Sequence, residues 1–158
     1  MKKGFFSLIL LFCCTLALNS CIKNTPYETT LDPYLTASIG TYNFTSKTVV
    51  PTTVDTQAHD SIVTLKITGN SSDLGYVNDQ IILTVSSYKE KIGTFSIVQG
   101  QASATFVHNH VADPAIGGIV AITKISANSL IGYFSFQTAS GTSVLDGAFS
   151  VGKPWYFY

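Results

Sequence analysis

The sequence predicts an all-β domain, an antiparallel sandwich or small barrel of about eight to ten short strands with no substantial helix. Three observations predict it. Beyond Pro33, apolar and polar residues alternate with a period of two almost everywhere, the pattern of a half-buried strand. Gly, Asn, Asp and Pro punctuate these runs at short intervals. The chain is only 11% charged and 12% aromatic, with many Ser and Thr, a composition that suits sheet better than helix.

The runs can be taken in order. Leu35, Ala37 and Ile39 share one face, with Thr36 and Ser38 opposite. Val63, Leu65 and Ile67 share another, as do Ile81, Leu83 and Val85. Ala102, Ala104 and Phe106 alternate with Ser103 and Thr105, and runs at 119–125, 130–136 and 144–151 follow. The expected turns are Gly69-Asn70, Asp73 with Gly75, Asp113-Pro114, Gly117-Gly118, Asn128 and Ser140-Gly141. One motif recurs at unequal intervals: Gly, any residue, an aromatic, a polar residue, an apolar one. It appears at Gly40–Phe44, Gly93–Ile97, Gly132–Phe136 and Gly147–Val151, so the chain is not a fixed-period solenoid. The third and fifth residues of the motif point to one face. They either line a ligand cavity or fill the core, and ordinary core use is the reading favoured here.

The organisation along the chain is tripartite. Residues 1–20 read as a signal peptide. Lys2-Lys3 precede an uncharged apolar run from Phe5 to Leu18, too short to span a bilayer, which takes about 20 residues. Leu18-Asn19-Ser20-Cys21 resembles the bacterial lipobox, with Asn19 departing from its usual −2 residue. The resemblance implies cleavage before Cys21 and lipid attachment on it, several acyl chains giving a stable membrane anchor. Residues 21–33 then form a polar tether carrying the lipidated cysteine. Residues 34–158 form the single all-β domain, long enough for one core and too short for two. Cys13 and Cys14 leave with the signal, so this exported domain has no disulfide and depends on its core.

Charge narrows the partners. All nine basic residues are Lys; without Lys2 and Lys3, seven remain against nine Asp plus Glu, a net charge of −2. That excludes the basic stripe nucleic acid requires and leaves no polybasic patch for anionic lipid. The segment Ile22-Lys23-Asn24-Thr25 lacks the acidic residues that direct some such lipoproteins to the outer surface, so a periplasm-facing place at the outer membrane is expected.

Signal plus Cys21, Thr36-Ala37, the run from Gly118 to Ile125, Leu130–Phe136 and Leu145–Val151 resemble small Bacteroidetes lipoproteins of an all-β family of unknown function. The resemblance implies a lipoprotein of the cell envelope and transfers no active site.

Candidate chemistry is sparse. If the strand from Ala102 continued to residue 110, the His108 and His110 imidazoles would share a face with Phe106. Asp113 follows, and His59-Asp60 could join from elsewhere; zinc needs three or four such ligands. The competing reading is a polar loop. There is no Gly-x-Ser-x-Gly elbow, and no phosphate-binding Gly loop. Asp60-Ser61-Ile62 resembles a three-residue O-glycosylation signal of exported Bacteroidetes proteins, making Ser61 its acceptor. Trp155 and Tyr156, in the aromatic C-terminus, and Tyr133 are candidates for stacking on a ligand such as a sugar ring. The aromatic terminus also resembles that of outer-membrane barrels, but strands apolar on both faces do not suit a polar lumen.

The resulting expectation is a non-enzymatic binding or interaction module at the outer membrane, without a cofactor, recognising a glycan, a small apolar ligand or a protein partner. Two alternatives stand beside it: a metal-binding protein or metal-dependent enzyme built on His108 and His110, and a structural accessory subunit of an envelope complex.

Overall fold

The computed structural model describes residues 32–55, 63–72, 78–88 and 91–153. Expectations for the signal peptide, Cys21, the tether up to residue 31, His59, Asp60, Ser61, the Asp73–Gly75 turn, Trp155 and Tyr156 lie outside them.

Ten strands form among the described residues, and no helix. They are β1 (Tyr34–Ile39), β2 (Tyr42–Ser46), β3 (Thr48–Asp55), β4 (Val63–Asn70), β5 (Gln80–Tyr88), β6 (Gly93–Ser96), β7 (Ala102–His108), β8 (Val111–Ile125), β9 (Ser129–Thr138) and β10 (Ser143–Gly152). Every ladder is antiparallel. The strand order is β2-β1-β10-β9-β8-β7-β5-β4-β3, with β6 paired to β8 off that path.

The two end strands, β2 and β3, are consecutive in the chain and joined through Lys47. The sheet therefore curls until its ends meet at that link, a nearly closed barrel. The seam is stitched without a ladder. Ser72 donates its N–H (2.8 Å) and its hydroxyl (3.0 Å) to the Thr45 carbonyl, and the Tyr42 and Ser71 hydroxyls lie 3.1 Å apart.

Alternation decides which side faces in. Leu35, Ala37, Ile39, Leu65, Ile67, Ile81, Leu83, Val85, Ala102, Ala104 and Phe106 are all buried, as their period of two requires. Their neighbours Thr36, Ser38, Lys66, Thr84 and Ser103 face outward. An apolar inside and a polar outside invert the pattern of a transmembrane barrel.

Three expected turns are corrected. Gly69-Asn70 is the end of β4, laddered to Val49 and Thr48 of β3 and to Ile81 and Gln80 of β5. Asp113-Pro114 does not turn; both residues belong to β8, paired with Phe106 and Thr105 of β7. Pro is tolerated there because it begins the stretch where β8 leaves β7. Gly117-Gly118 also lies within β8, at a register irregularity where the strand passes on to pair with β9 and β6. One long strand thus serves both halves of the sheet. The turns at Asn128 and Ser140-Gly141 form as expected, closing β8–β9 and β9–β10.

The recurring glycine motif is a core device at two of its four occurrences, Gly132 and Gly147, and Gly118, outside the motif, works in the same way. Gly147 stands opposite Phe134, Phe149 opposite Gly132, and Gly118 opposite Phe136. Each missing Cβ leaves room for a ring or backbone on the neighbouring strand: a Cβ on Gly147 would lie 2.5 Å from the Phe134 ring, and one on Gly132 2.4 Å from the Phe149 ring. The three rings are buried, with Phe134 stacked 6.1 Å from Phe136 and 6.5 Å from Phe149. Pairing a glycine with a cross-strand aromatic recovers the contact the glycine lacks. These aromatics fill the core.

Candidate functional site

The chemistry-bearing side chains gather where two chain reversals lie side by side. The first joins β7 to β8. Strand β7 ends at His108, which pairs with Val111, so the two residues between them make the turn. Asn109 (φ 48°) and His110 (φ 67°) both adopt the left-handed conformation. Positive φ at both central residues is the requirement of a type I′ turn, whose twist matches the strands it joins. Asn suits the first position; His at the second, where Gly is favoured, carries a conformational cost. The condition for a shared face, that β7 continue to residue 110, is therefore not met, and the polar-loop reading holds. His108 and His110 do not share a strand face, because the reversal intervenes.

The second reversal joins β9 to β10. Thr138 and Thr142 close it through main-chain bonds, with Gly141 at φ 93°. Asp113 of β8 reaches across to it. The Ser140 hydroxyl donates to Asp113 Oδ2, and the Ser140 N–H donates to Oδ1 at 3.2 Å. The Ser140 hydroxyl, with the Thr138 hydroxyl and the Ser140 and Ala139 amides behind it, holds the Asp113 carboxyl below the usual aspartate range. Asp113 is thus an oriented carboxylate tying one reversal to the other. Its bonds leave it on Ser140, away from the histidine partners expected of it.

The residue that the sequence did not single out is Asp79. It lies just before β5, in phase with Ile81 and Leu83, and so on the inward side. A carboxylate in register with a core face is the signal that could have marked it. Pairing of Gln80 with Val107 sets Asp79 beside His108. Asp79 Oδ1 lies 2.9 Å from His108 Nδ1 and accepts the Asn109 N–H at 3.4 Å. The Asp79 side chain is 1% exposed, His108 53%. On the other side of the ring, His108 Nε2 lies 3.0 Å from Asn109 Nδ2. A proton on Nδ1 satisfies both contacts: Nδ1–H donates to Asp79, and Nε2 accepts from the Asn109 amide. The ring stacks 6.0 Å above Phe106 at an interplanar angle of 26°. Asp79 Oδ2 is buried and has no hydrogen-bond partner among the described residues.

A groove of about 520 Å³ runs between the two reversals. Phe106, Val111 and Ala112 supply its apolar surface; His108, Asn109, Asp113, Ser140 and Thr142 supply its polar groups. Val111 is 70% exposed although it is large and apolar. Volume and lining suit a small-ligand site: mostly apolar walls with a few polar groups to fix orientation. His110 sits in a separate recess with Asn70, Asn78, Asp79 and Gln80. So the proposed metal residues divide, His108 and Asp113 on the groove and His110 in the recess. Among the described residues no three His, Cys, Asp or Glu side chains gather as a ligand set.

Tyr133, the described member of the stacking candidates, is 44% exposed on the outer face of β9. It stands between Ala121 of β8 and Ala148 of β10, small neighbours that leave its ring uncovered. It does not line the groove. No family model, curated protein or solved structure matches the chain, so the reading of its function rests on this geometry and on the sequence.

Proposed function

We propose that the protein is a non-enzymatic binding module of the bacterial outer membrane, one of the small Bacteroidetes lipoproteins its sequence resembles. Lipid on Cys21 anchors it, facing the periplasm, and the groove between the β7–β8 and β9–β10 reversals receives its ligand. The observation that carries the reading is the groove itself. An exposed apolar wall at Val111 and Ala112 faces polar groups already fixed by their own hydrogen bonds. Fixed polar groups lose little freedom when a ligand arrives, so more of the contact energy appears as affinity. The strained turn at Asn109-His110 fits the same reading, since such strain tends to persist where function retains it. The ligand classes open to such a site are a glycan, a small apolar molecule or a segment of an envelope protein.

Two measurements test the proposal. Detergent-phase partition should place the wild-type protein with the lipid and the Cys21→Ala variant in the aqueous phase; equal partition would remove the anchor. A thermal melt against glycans, lipids and zinc should show a raised midpoint with one organic ligand class, by about 2.7 kcal/mol at a hundredfold excess over Kd. A midpoint that responds to zinc and chelator alone would favour the metal alternative. A flat result with co-purification of a larger protein would favour the accessory-subunit alternative.

A further inference from the structure

From the polar groups of the groove we infer that its ligand is an uncharged sugar ring; this rests on the groove being the binding site. The rim is biased toward acceptors. Asp113 presents a carboxylate kept ionised and oriented by Ser140. His108 adds no free donor to the rim, because its Nδ1–H goes to Asp79 and its Nε2 is occupied by the Asn109 amide. The Ser140 hydroxyl spends its proton on Asp113 and is left as an acceptor, and the Thr142 hydroxyl, 3.2 Å from it, can donate or accept. A ligand that matches this rim must bring several donors, which vicinal hydroxyls do.

Charge excludes the acidic alternatives. No Lys lies among the described residues lining the groove, while Asp113 is anionic, so phosphates, fatty-acid carboxylates and uronic acids meet repulsion with nothing to offset it. Shape supplies the other half. The apolar wall at Val111, with the His108 ring stacked 6.0 Å from Phe106, matches the C–H face of a pyranose, whose hydroxyls project at the edge toward Asp113, Ser140 and Thr142. An aliphatic ligand would leave the carboxylate facing hydrocarbon, at the cost of a charge without a partner.

The test is calorimetric titration of the full chain in detergent with neutral disaccharides of glucose, galactose, mannose and N-acetylglucosamine. Uronic-acid disaccharides and cadaverine serve as charged probes, and a medium-chain alcohol as the apolar one. Val111→Trp, at a position 70% exposed and on the strand face shared by His108 and Asp113, fills the groove without disturbing the core. Thr142→Val removes one rim hydroxyl. The expected result is saturable binding of at least one neutral disaccharide, weakened tenfold or more by either substitution and by replacing the ring with its uronic acid. If cadaverine or the alcohol binds, is blocked by Val111→Trp, and no sugar does, the groove stands as a binding site but the sugar inference is overturned. If a sugar binds equally well to Val111→Trp, its site is elsewhere and the inference falls. If no probe binds, the groove reading falls with it.

Discussion

Replacing Gly147 with Ala puts a methyl group where the Phe134 ring lies. The new Cβ would stand 2.5 Å from Phe134 Cε2 and 2.6 Å from Cδ2 and Cζ, against 3.4–4 Å for ordinary contact. The ring must retreat by roughly 1 Å, and close-packed interiors resist such shifts. Phe134 is 1% exposed and stacked against both Phe136 and Phe149, so it has nowhere to go without displacing them. Overpacking of this kind costs about 1–3 kcal/mol, offset in part by about 0.4–1 kcal/mol from the stiffer unfolded chain. A net loss of about 1–2 kcal/mol is expected. Phe134→Leu trims the ring and should cost roughly 1–3 kcal/mol by itself. Combined, the two should cost less than their sum by about 1 kcal/mol or more, because the methyl then occupies space the ring has vacated. Gly132→Ala provides the contrast. Its Cβ would meet the Ala121 carbonyl oxygen at 2.0 Å as well as the Phe149 ring at 2.4 Å. Trimming Phe149 relieves only the second clash, so Gly132→Ala should be the more damaging substitution and its cycle with Phe149→Leu the weaker coupling. Urea unfolding followed by circular dichroism gives all six variants. An additive Gly147/Phe134 cycle, within about 0.5 kcal/mol, would refute the idea that each glycine is shaped by the ring opposite it.

Three further outcomes follow from the site. His110→Gly should raise stability by about 1 kcal/mol, since it relieves a left-handed histidine at the turn position that favours glycine; an unchanged or lower urea midpoint would contradict the assignment. Asp113→Asn should lower the urea midpoint at neutral pH. The folded carboxyl titrates below its unfolded value, so its stabilisation is present above about pH 4 and disappears as pH falls through the folded pKa. The gap between wild type and variant should therefore close at acid pH, and a gap that persists there would point to a cause other than charge. Asp79→Ala removes the acceptor at His108 Nδ1; nitrogen chemical shifts should show a proton fixed on Nδ1 in the wild type and a tautomer mixture in the variant.

The strands were legible because their faces differ. Where one side is buried and the other wet, as at Leu65-Lys66-Ile67, alternation names the inward residue directly. It failed where a residue type normally associated with turns was used inside a strand. Asp113-Pro114 read as a turn because Pro cannot donate to a ladder, yet β8 needs no further donor where it changes partners. Gly117-Gly118 read the same way, though Gly118 is there to let Phe136 come close. The candidate site was half visible. His108 and Asp113 were identified from residue type, but their partners, Asp79 and Ser140, come from strands distant in sequence and depend on registers that alternation does not encode. The reversal at Asn109-His110 was visible only as the competing polar-loop reading, because His is an uncommon choice for the second turn position.

Strand β8 has a consequence for how the domain comes apart. Its first residues pair with β7, and its remaining length pairs with β9 and β6. The half built on β3, β4, β5 and β7 and the half built on β1, β2, β9 and β10 therefore share a single stretch of backbone. Neither half can melt while the other keeps β8 fully laddered, so the two should form one cooperative unit and unfold in one transition. The groove lies at the β7 end of that shared strand, and a ligand that holds the reversals together there should slow amide exchange as far away as the β8–β9 ladder.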